Sequence, residues 1–364
     1  SNLPSILLTP NAKGDWIKQR SEGFESLIEL APEKKYDVKC NSFFTLNTNG
    51  VVSGRSSWVN NFSKKHSNFI VNKMLEFFNN QVNDYRIKSQ ENQKINVLDF
   101  IDTDETKIKW DDKLIRKVSN GKNLSVDDSC FRVTFRTPFC KEIIYFNEDF
   151  NWSRVLLPSV FPNKNYKNFM ISCIGKGASR DFSVLISDSV VDYHFEQNGQ
   201  CFPLYYYEER KVEQKSLFDA NEDGNSEFIR RDGISNFIFE RAQKQYGKNV
   251  TKEDIFYYVY GFLHSPEYRE MFANDLKKML PRLPLIDDVK DFWAFSKAGR
   301  KLADLHINYE TVPAYEDVTV KGEESGFFNV QKMRFPKKDQ KDTIIFNSKI
   351  TIENIPAQAY EYVV

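Results

Sequence analysis

Apolar positions along the chain switch between a period of two and a period near 3.6, and each switch marks a change of element. Residues 3–63 alternate short apolar runs with Gly and Asn turns, as in FFTLNTNGVVSGRSSW, which predicts strands and loops. Over 67–86, Phe69, Ile70, Met74, Phe77, Phe78 and Val82 fall at helical spacing, with Ser67 as the expected N-cap. A polar bridge follows, then a short helix over 107–120 around Trp110, Leu114 and Val118. From 130 to 206 the period returns to strand in CFRVTFRTPF, KEIIYF, NFMISCIG, FSVLISDSVV and CFPLYYY, and a polar, acidic stretch over 208–228 closes this part.

Residues 233–306 predict four helices. GISNFIFERAQKQYG ends on Gly247, a C-cap residue, and Thr251 with Asp254 opens TKEDIFYYVYGFLH. That second helix is apolar all round and is expected at the buried centre. The third, HSPEYREMFANDLKKMLPRLPL, has Ser265 as cap, Pro266 at the first helical position, and Tyr268, Phe272, Leu276 and Met279 on one stripe. DDVKDFWAFSKAGRKLADLHINYE is the fourth, and beyond 312 the strand period resumes in TIIFNSKITIENI. The expected fold is α+β in three parts: a strand-rich part over 3–228 with the helix 67–86, a four-helix-like block over 229–310, and a C-terminal strand segment over 311–364.

Composition narrows the class. The 364 residues are 40% hydrophobic and 15% aromatic, enough for a large core, and 51 Lys plus Arg balance 51 Asp plus Glu. No run of about 18 apolar residues suggests a membrane span, no signal peptide is read, and Ser1-Asn2 reads as a tag remnant. Five cysteines (Cys40, Cys130, Cys140, Cys173, Cys201) without a CxxC pair predict a reduced, cytoplasmic protein. The four histidines lie far from them in sequence, so no metal site is expected.

Catalytic motifs fail on context. GKGASRDFS carries glycines but opens into a strand, so it predicts a basic turn rather than a phosphate loop or a dinucleotide fold. Glu33-Lys34-Lys35 matches only a trivial nuclease tripeptide, and no GxSxG occurs. Charge distribution says more. Between Cys130 and Arg180 eight basic residues (Arg132, Arg136, Lys141, Arg154, Lys164, Lys167, Lys176, Arg180) face three acids, with ten aromatic residues interleaved. From Asp181 to Phe228 the balance reverses to eleven acids and three bases. Basic density within strands and loops suits phosphate contact by a neutral protein, although charges on alternating strands also serve as a solvated face.

Several phrases taken together resemble one family: TPNAKGDWIKQR, SGRSSWVNNFSK, FRTPFCKEIIYF, GKGASRDFSVLISD, QCFPLYYYE, ISNFIFERAQKQYG, TKEDIFYYVYGFLHSPEYREMFANDLKKMLPRLPL and DFWAFSKAGRKLADLHINYE. They are similar to the C-terminal target-recognition region of single-chain Type ISP restriction–modification enzymes and related helicase–adenine-methyltransferase polypeptides. The likeness runs in order over nearly the whole chain. It implies sequence-specific duplex DNA recognition that directs a methyltransferase and a nuclease–translocase elsewhere in the same polypeptide. S-adenosylmethionine, ATP and magnesium would belong to those other domains. The family's Asn-Pro-Pro tetrapeptide, its cofactor glycine motif and its helicase motifs do not occur here, and IPAQAYEYVV stops where the family's chains continue. The chain therefore reads as a recognition piece with no catalytic residue of its own.

Candidate DNA contacts are Lys176, Ser179 and Arg180 in the glycine turn, and Arg136 and Lys141 flanking Pro138. Arg154, Arg55 and Lys13 complete the set. For the helical block the expectation is a scaffold, with direct contact through Arg269, Lys277, Lys278 and Arg282 as the other possibility. Two other functions stay open: an interaction module that docks the methyltransferase and motor domains, and a stand-alone nuclease. Asp15 and Arg20 are expected to pair, and Trp16 to be packed.

Overall fold

A computed structural model describes residues 9–91, 95–210 and 227–362. Packing divides the chain into two units, Ser1–Ile307 and Asn308–Val364. The first is mixed α+β and is built around two four-stranded sheets.

One sheet is antiparallel throughout, in the order Thr48–Asn49, Gln200–Pro203, Met170–Cys173, Val184–Ser187. Its strands are apolar on both faces because both are covered. Ile171, Cys173, Val184, Ile186 and Phe202 join the helical segment in one core, while Met170, Leu185 and Cys201 are buried on the opposite face. The second sheet runs Asn60–Asn61, Cys140–Tyr145, Phe131–Thr137, Val190–Val191, the last pair parallel. Asp188 and Ser189 carry the chain from one sheet to the other.

The central helix, Lys252–Leu263, is buried at every residue from Ile255 to Leu263, as its all-round apolar pattern predicts. Thr251 and Asp254 form a reciprocal capping box at its start. The crossing helix, Val289–Ile307, approaches it closely at Gly261 and Gly299, where a Cβ on either residue would overlap a backbone carbonyl of the other helix. Rings from distant segments then close the core: Phe44 packs on Phe202 and Phe256, and Tyr246 stacks on Phe292 at 4.2 Å.

Three sequence expectations need correction. The long helix spans Lys64–Glu91, and Ser63 supplies its first side-chain bond, accepting from the His66 amide at 3.3 Å. Ser67 is buried inside the helix, so it is no cap, and Phe69 is exposed. The third predicted helix is two short ones, Pro266–Met271 and Ala273–Leu276, separated by Phe272 at φ −110°, ψ 22°. Tertiary contacts favour the break: Phe272 packs on Phe24 at 5.0 Å, and the buried Asp275 carboxylate accepts the Ser21 amide at 3.0 Å. Ser265 does cap the first piece, accepting from the Tyr268 amide. Third, Trp16 is 60% exposed rather than packed.

The second unit, taken alone, carries a three-stranded antiparallel sheet in the order Thr319–Lys321, Thr351–Glu353, Ile344–Ile345. Asn347 holds its turn, accepting the Lys349 and Ile350 amides and donating to the Phe327 and Asn329 carbonyls.

Candidate nucleic-acid interface

The glycine turn lies between strands Met170–Cys173 and Val184–Ser187, as a loop and not a helix start. Gly175 is buried at its base and donates its amide to the Gln197 carbonyl at 2.9 Å. A Cβ there would overlap the Asn198 carbonyl, and Gly177 adopts a positive φ of 75°. Both positions thus require glycine for geometric reasons. Gln197 also accepts the Ser179 amide (3.1 Å) and hydroxyl (3.2 Å), and Asn198 donates to the Lys176 carbonyl at 3.4 Å. The loop is braced from below by residues 197–198, and it presents Lys176, Ser179 and Arg180 as exposed side chains. An ammonium, a hydroxyl and a guanidinium on a fixed backbone form a donor set suited to phosphate oxygens or to guanine edges.

Beneath this loop sits Glu196, 3% exposed, which accepts a hydrogen bond from the Ser183 hydroxyl. Burial pushes its carboxyl up to about 7, against the pull of that hydrogen bond and of the nearby Arg180 and Arg269 charges.

The second candidate element is the hairpin of strands Phe131–Thr137 and Cys140–Tyr145. Phe139 turns the tip at φ 55°, and its ring meets His306 edge-on at 5.7 Å. Arg136 and Lys141 are both exposed, with the Lys141 ammonium 5.9 Å from the Phe135 ring centre. Glu142 is buried and accepts from Asn60 instead of pairing with either cation. The tip packs beside the Ser187 end of strand Val184–Ser187, whereas the glycine loop enters that strand at its Val184 end. The two basic elements are therefore offset by roughly 10 Å along that strand.

Three other predicted contacts are engaged within the protein. Arg55 is 2% exposed, pairs with Asp111 at 2.7 Å and donates to the Lys109 and Asp149 carbonyls. A guanidinium so buried has no surface to offer a phosphate, and its assignment as a DNA contact is corrected to a structural one. Arg154 pairs with Glu148 at 3.5 Å over the Phe146 ring, and Lys13 pairs with Glu25. The basic residues of the helical segment are committed too: Arg269 to the Leu263 carbonyl, Lys277 to Asp181, Lys278 to Asp15 and Arg282 to Glu29. These commitments fit a scaffold.

Sequence reading missed Lys35. Its ammonium donates to the side-chain oxygens of Asn47 (2.9 Å), Asn49 (2.9 Å) and Gln200 (3.1 Å), and burial pushes it down from the ordinary lysine value. It lines a cavity of about 380 Å³ that Lys176, Asn198, Gln200 and Arg282 also border. Nothing local in Glu33-Lys34-Lys35 signals this, because Gln200 is distant in sequence. Among the described residues no group of three or more His, Cys, Asp or Glu side chains is placed to hold a metal ion. None of the described helices is long and apolar enough to cross a membrane.

A family model, the Type ISP C-terminal specificity domain, matches residues 42–364. Among solved structures, the chain is similar to a nuclease-deletion mutant of the Type ISP restriction–modification enzyme LlaGI in complex with a DNA substrate mimic, with 34% identity and TM-score 0.77 over 98% of this chain and 30% of that one. The ATP-dependent Type ISP enzyme LlaBIII bound to DNA matches at 31% identity and TM-score 0.78, over 98% of this chain and 21% of that one. A DrdV–DNA complex shares the fold at 23% identity and TM-score 0.77, over 99% of this chain and 34% of that one. No curated protein matches the chain. The resemblance carried by the sequence phrases and the mixed α+β fold are both borne out. The chain spans about a third or less of each solved relative, and it belongs to the Type ISP C-terminal specificity domain family.

Proposed function

We propose that this chain recognises a specific duplex DNA sequence, with Lys176, Ser179 and Arg180 as its foremost contacts and Arg136 and Lys141 as supporting phosphate contacts. The braced glycine loop is the observation that carries the reading. It holds two cations and a hydroxyl outward on a backbone tied to Gln197 and Asn198. Such rigidity matters because phosphate contacts fix register while base contacts specify. The helical segment then serves to hold the loop and the hairpin in place.

In this reading, catalysis belongs to other parts of a longer polypeptide: an adenine methyltransferase using S-adenosylmethionine, and a nuclease–translocase using ATP and magnesium. The chain's role is to direct them to their site in the cytoplasm. Purified chain given methyl donor, or magnesium and ATP, should leave duplexes carrying the site neither methylated nor nicked.

One observation favours docking of those other domains as a second role. Asp15 accepts from Arg20 and Asn11 and pairs with Lys278, making a rigid turn that leaves Trp16 and Ile17 60% and 67% exposed. Replacing Lys176 and Arg180 by Ala separates the two. DNA recognition predicts weaker binding of the specific duplex at low and at moderate salt, and unchanged affinity would leave only the docking role.

A further inference from the structure

We propose that the cavity bordered by Lys35 and Lys176 is a subsite for one backbone phosphate of the bound duplex, with Lys35 acting through its charge and Lys176 through hydrogen bonding. This rests on the DNA-recognition reading above and adds to it a residue outside the glycine loop and the hairpin.

Lys35 has an unusual set of partners for a half-buried cation. All three ammonium protons are taken by neutral amide oxygens, those of Asn47, Asn49 and Gln200, and none by a carboxylate. The amides are fixed in that orientation from behind. Asn47 donates to the Pro32 carbonyl at 3.0 Å and Asn49 to the Gly199 carbonyl at 3.1 Å, which leaves their oxygens turned to the ammonium. Neutral dipoles satisfy the hydrogen bonds but leave the charge uncompensated, and a charge withdrawn from water without a counter-ion is costly. The arrangement keeps a fixed positive potential at the cavity wall.

Lys176 borders the same cavity, exposed and without an ion-pair partner among the described residues. Arg282 also borders the space, but Glu29 neutralises it at 2.5 Å, and the remaining acid, Glu33, is exposed. The lining thus carries one net positive charge, from Lys35, Lys176 and Arg282 against Glu29 and Glu33. The Gln200 amide nitrogen has no partner among the described residues and adds a donor. One excess positive charge with an exposed ammonium and an amide donor matches a phosphodiester, which carries one negative charge and accepts several hydrogen bonds. The volume of about 380 Å³ leaves room for the group and its flanking sugar atoms.

The test measures how the logarithm of the affinity falls with the logarithm of salt concentration, for the full chain on its specific duplex and on a random one. Losing one phosphate contact lowers that slope by about 1. The double variant Lys35→Met/Lys176→Met is expected to show this loss equally on both duplexes. An unchanged slope overturns the proposal, and so does a loss confined to the specific duplex, which would make the cavity a reader of base edges. Should Lys35 variants fail to fold, Lys176→Met is compared with wild type on duplexes carrying single ethylated phosphates. One ethylated position should weaken wild type and not the variant, and the lack of any such position overturns the proposal. Inorganic phosphate at matched ionic strength that raises the unfolding midpoint of wild type alone, with no change of slope on DNA, would assign the cavity to free phosphate instead. Wild type that binds neither duplex sinks the recognition reading as well, whereas steep wild-type salt dependence with unaltered variants sinks only the subsite.

Discussion

Arg55 and Lys176 each follow a glycine in the chain, Gly54 and Gly175, and their surroundings send them to opposite uses. Gly54, at φ 68°, lies against the Trp152 ring, and Arg55 turns inward to Asp111. Removing the guanidinium by Arg55→Ala strands a poorly exposed Asp111, so it should cost about 3 kcal/mol of stability in a denaturant titration. Lys176→Ala, at an exposed position, should change stability by less than about 0.5 kcal/mol. Comparable losses at both positions would contradict this division between structural and interfacial cations.

Glu196 gives a prediction in pH. Its folded carboxyl sits near 7, above the ordinary value of 4.5. The folded state therefore binds this proton more tightly than the unfolded state does. The protonated form is fully compatible with folding below about 4.5, and stability is lost as pH rises through about 7. Glu196→Gln removes that penalty, which is on the order of 3 kcal/mol once the carboxyl ionises. The melting temperature of the variant minus that of wild type should grow between pH 5 and pH 8. A constant difference would mean that Glu196 does not titrate in this range.

At the scale of elements, the contact between Lys252–Leu263 and Val289–Ile307 depends on two glycines. A methyl group at 299 would overlap the Tyr257 carbonyl, so Gly299→Ala must push the helices apart. Overpacking of this kind costs about 2 kcal/mol, measurable by urea unfolding, and a neutral result would place the close approach elsewhere. The two ends of helix-forming segments that the sequence made legible, the Thr251–Asp254 box and the Gly247 stop, are local: their donors and acceptors lie within a few residues. The break at Phe272 was not legible, because it is set by Phe24 and Ser21 some 250 positions away. The same distinction explains the site. A basic turn could be read from GKGASR beside a strand, but not its bracing by Gln197 and Asn198, and Lys35 becomes a cavity wall only when Gln200 reaches it from a distant strand.

Across the whole molecule, strand and helix periods located the elements but not how they share a core. Phe44, Phe202 and Phe256 come from three separated segments and meet ring against ring, so the helical segment stabilises the same sheet that bears the glycine loop. This coupling gives the helices a role without chemistry of their own. They fix where Lys176 and Arg180 stand relative to Arg136 and Lys141. A rigid arrangement of this kind should discriminate among sequences rather than merely attract phosphate. The most direct measurement is selection of bound duplexes from a random-sequence pool by the purified chain, at a salt concentration that suppresses non-specific binding. The account predicts enrichment of one sequence over successive rounds, lost when Lys176 and Arg180 are both replaced by Ala. A pool that stays random while the chain retains DNA, or enrichment that survives the double replacement, would contradict it.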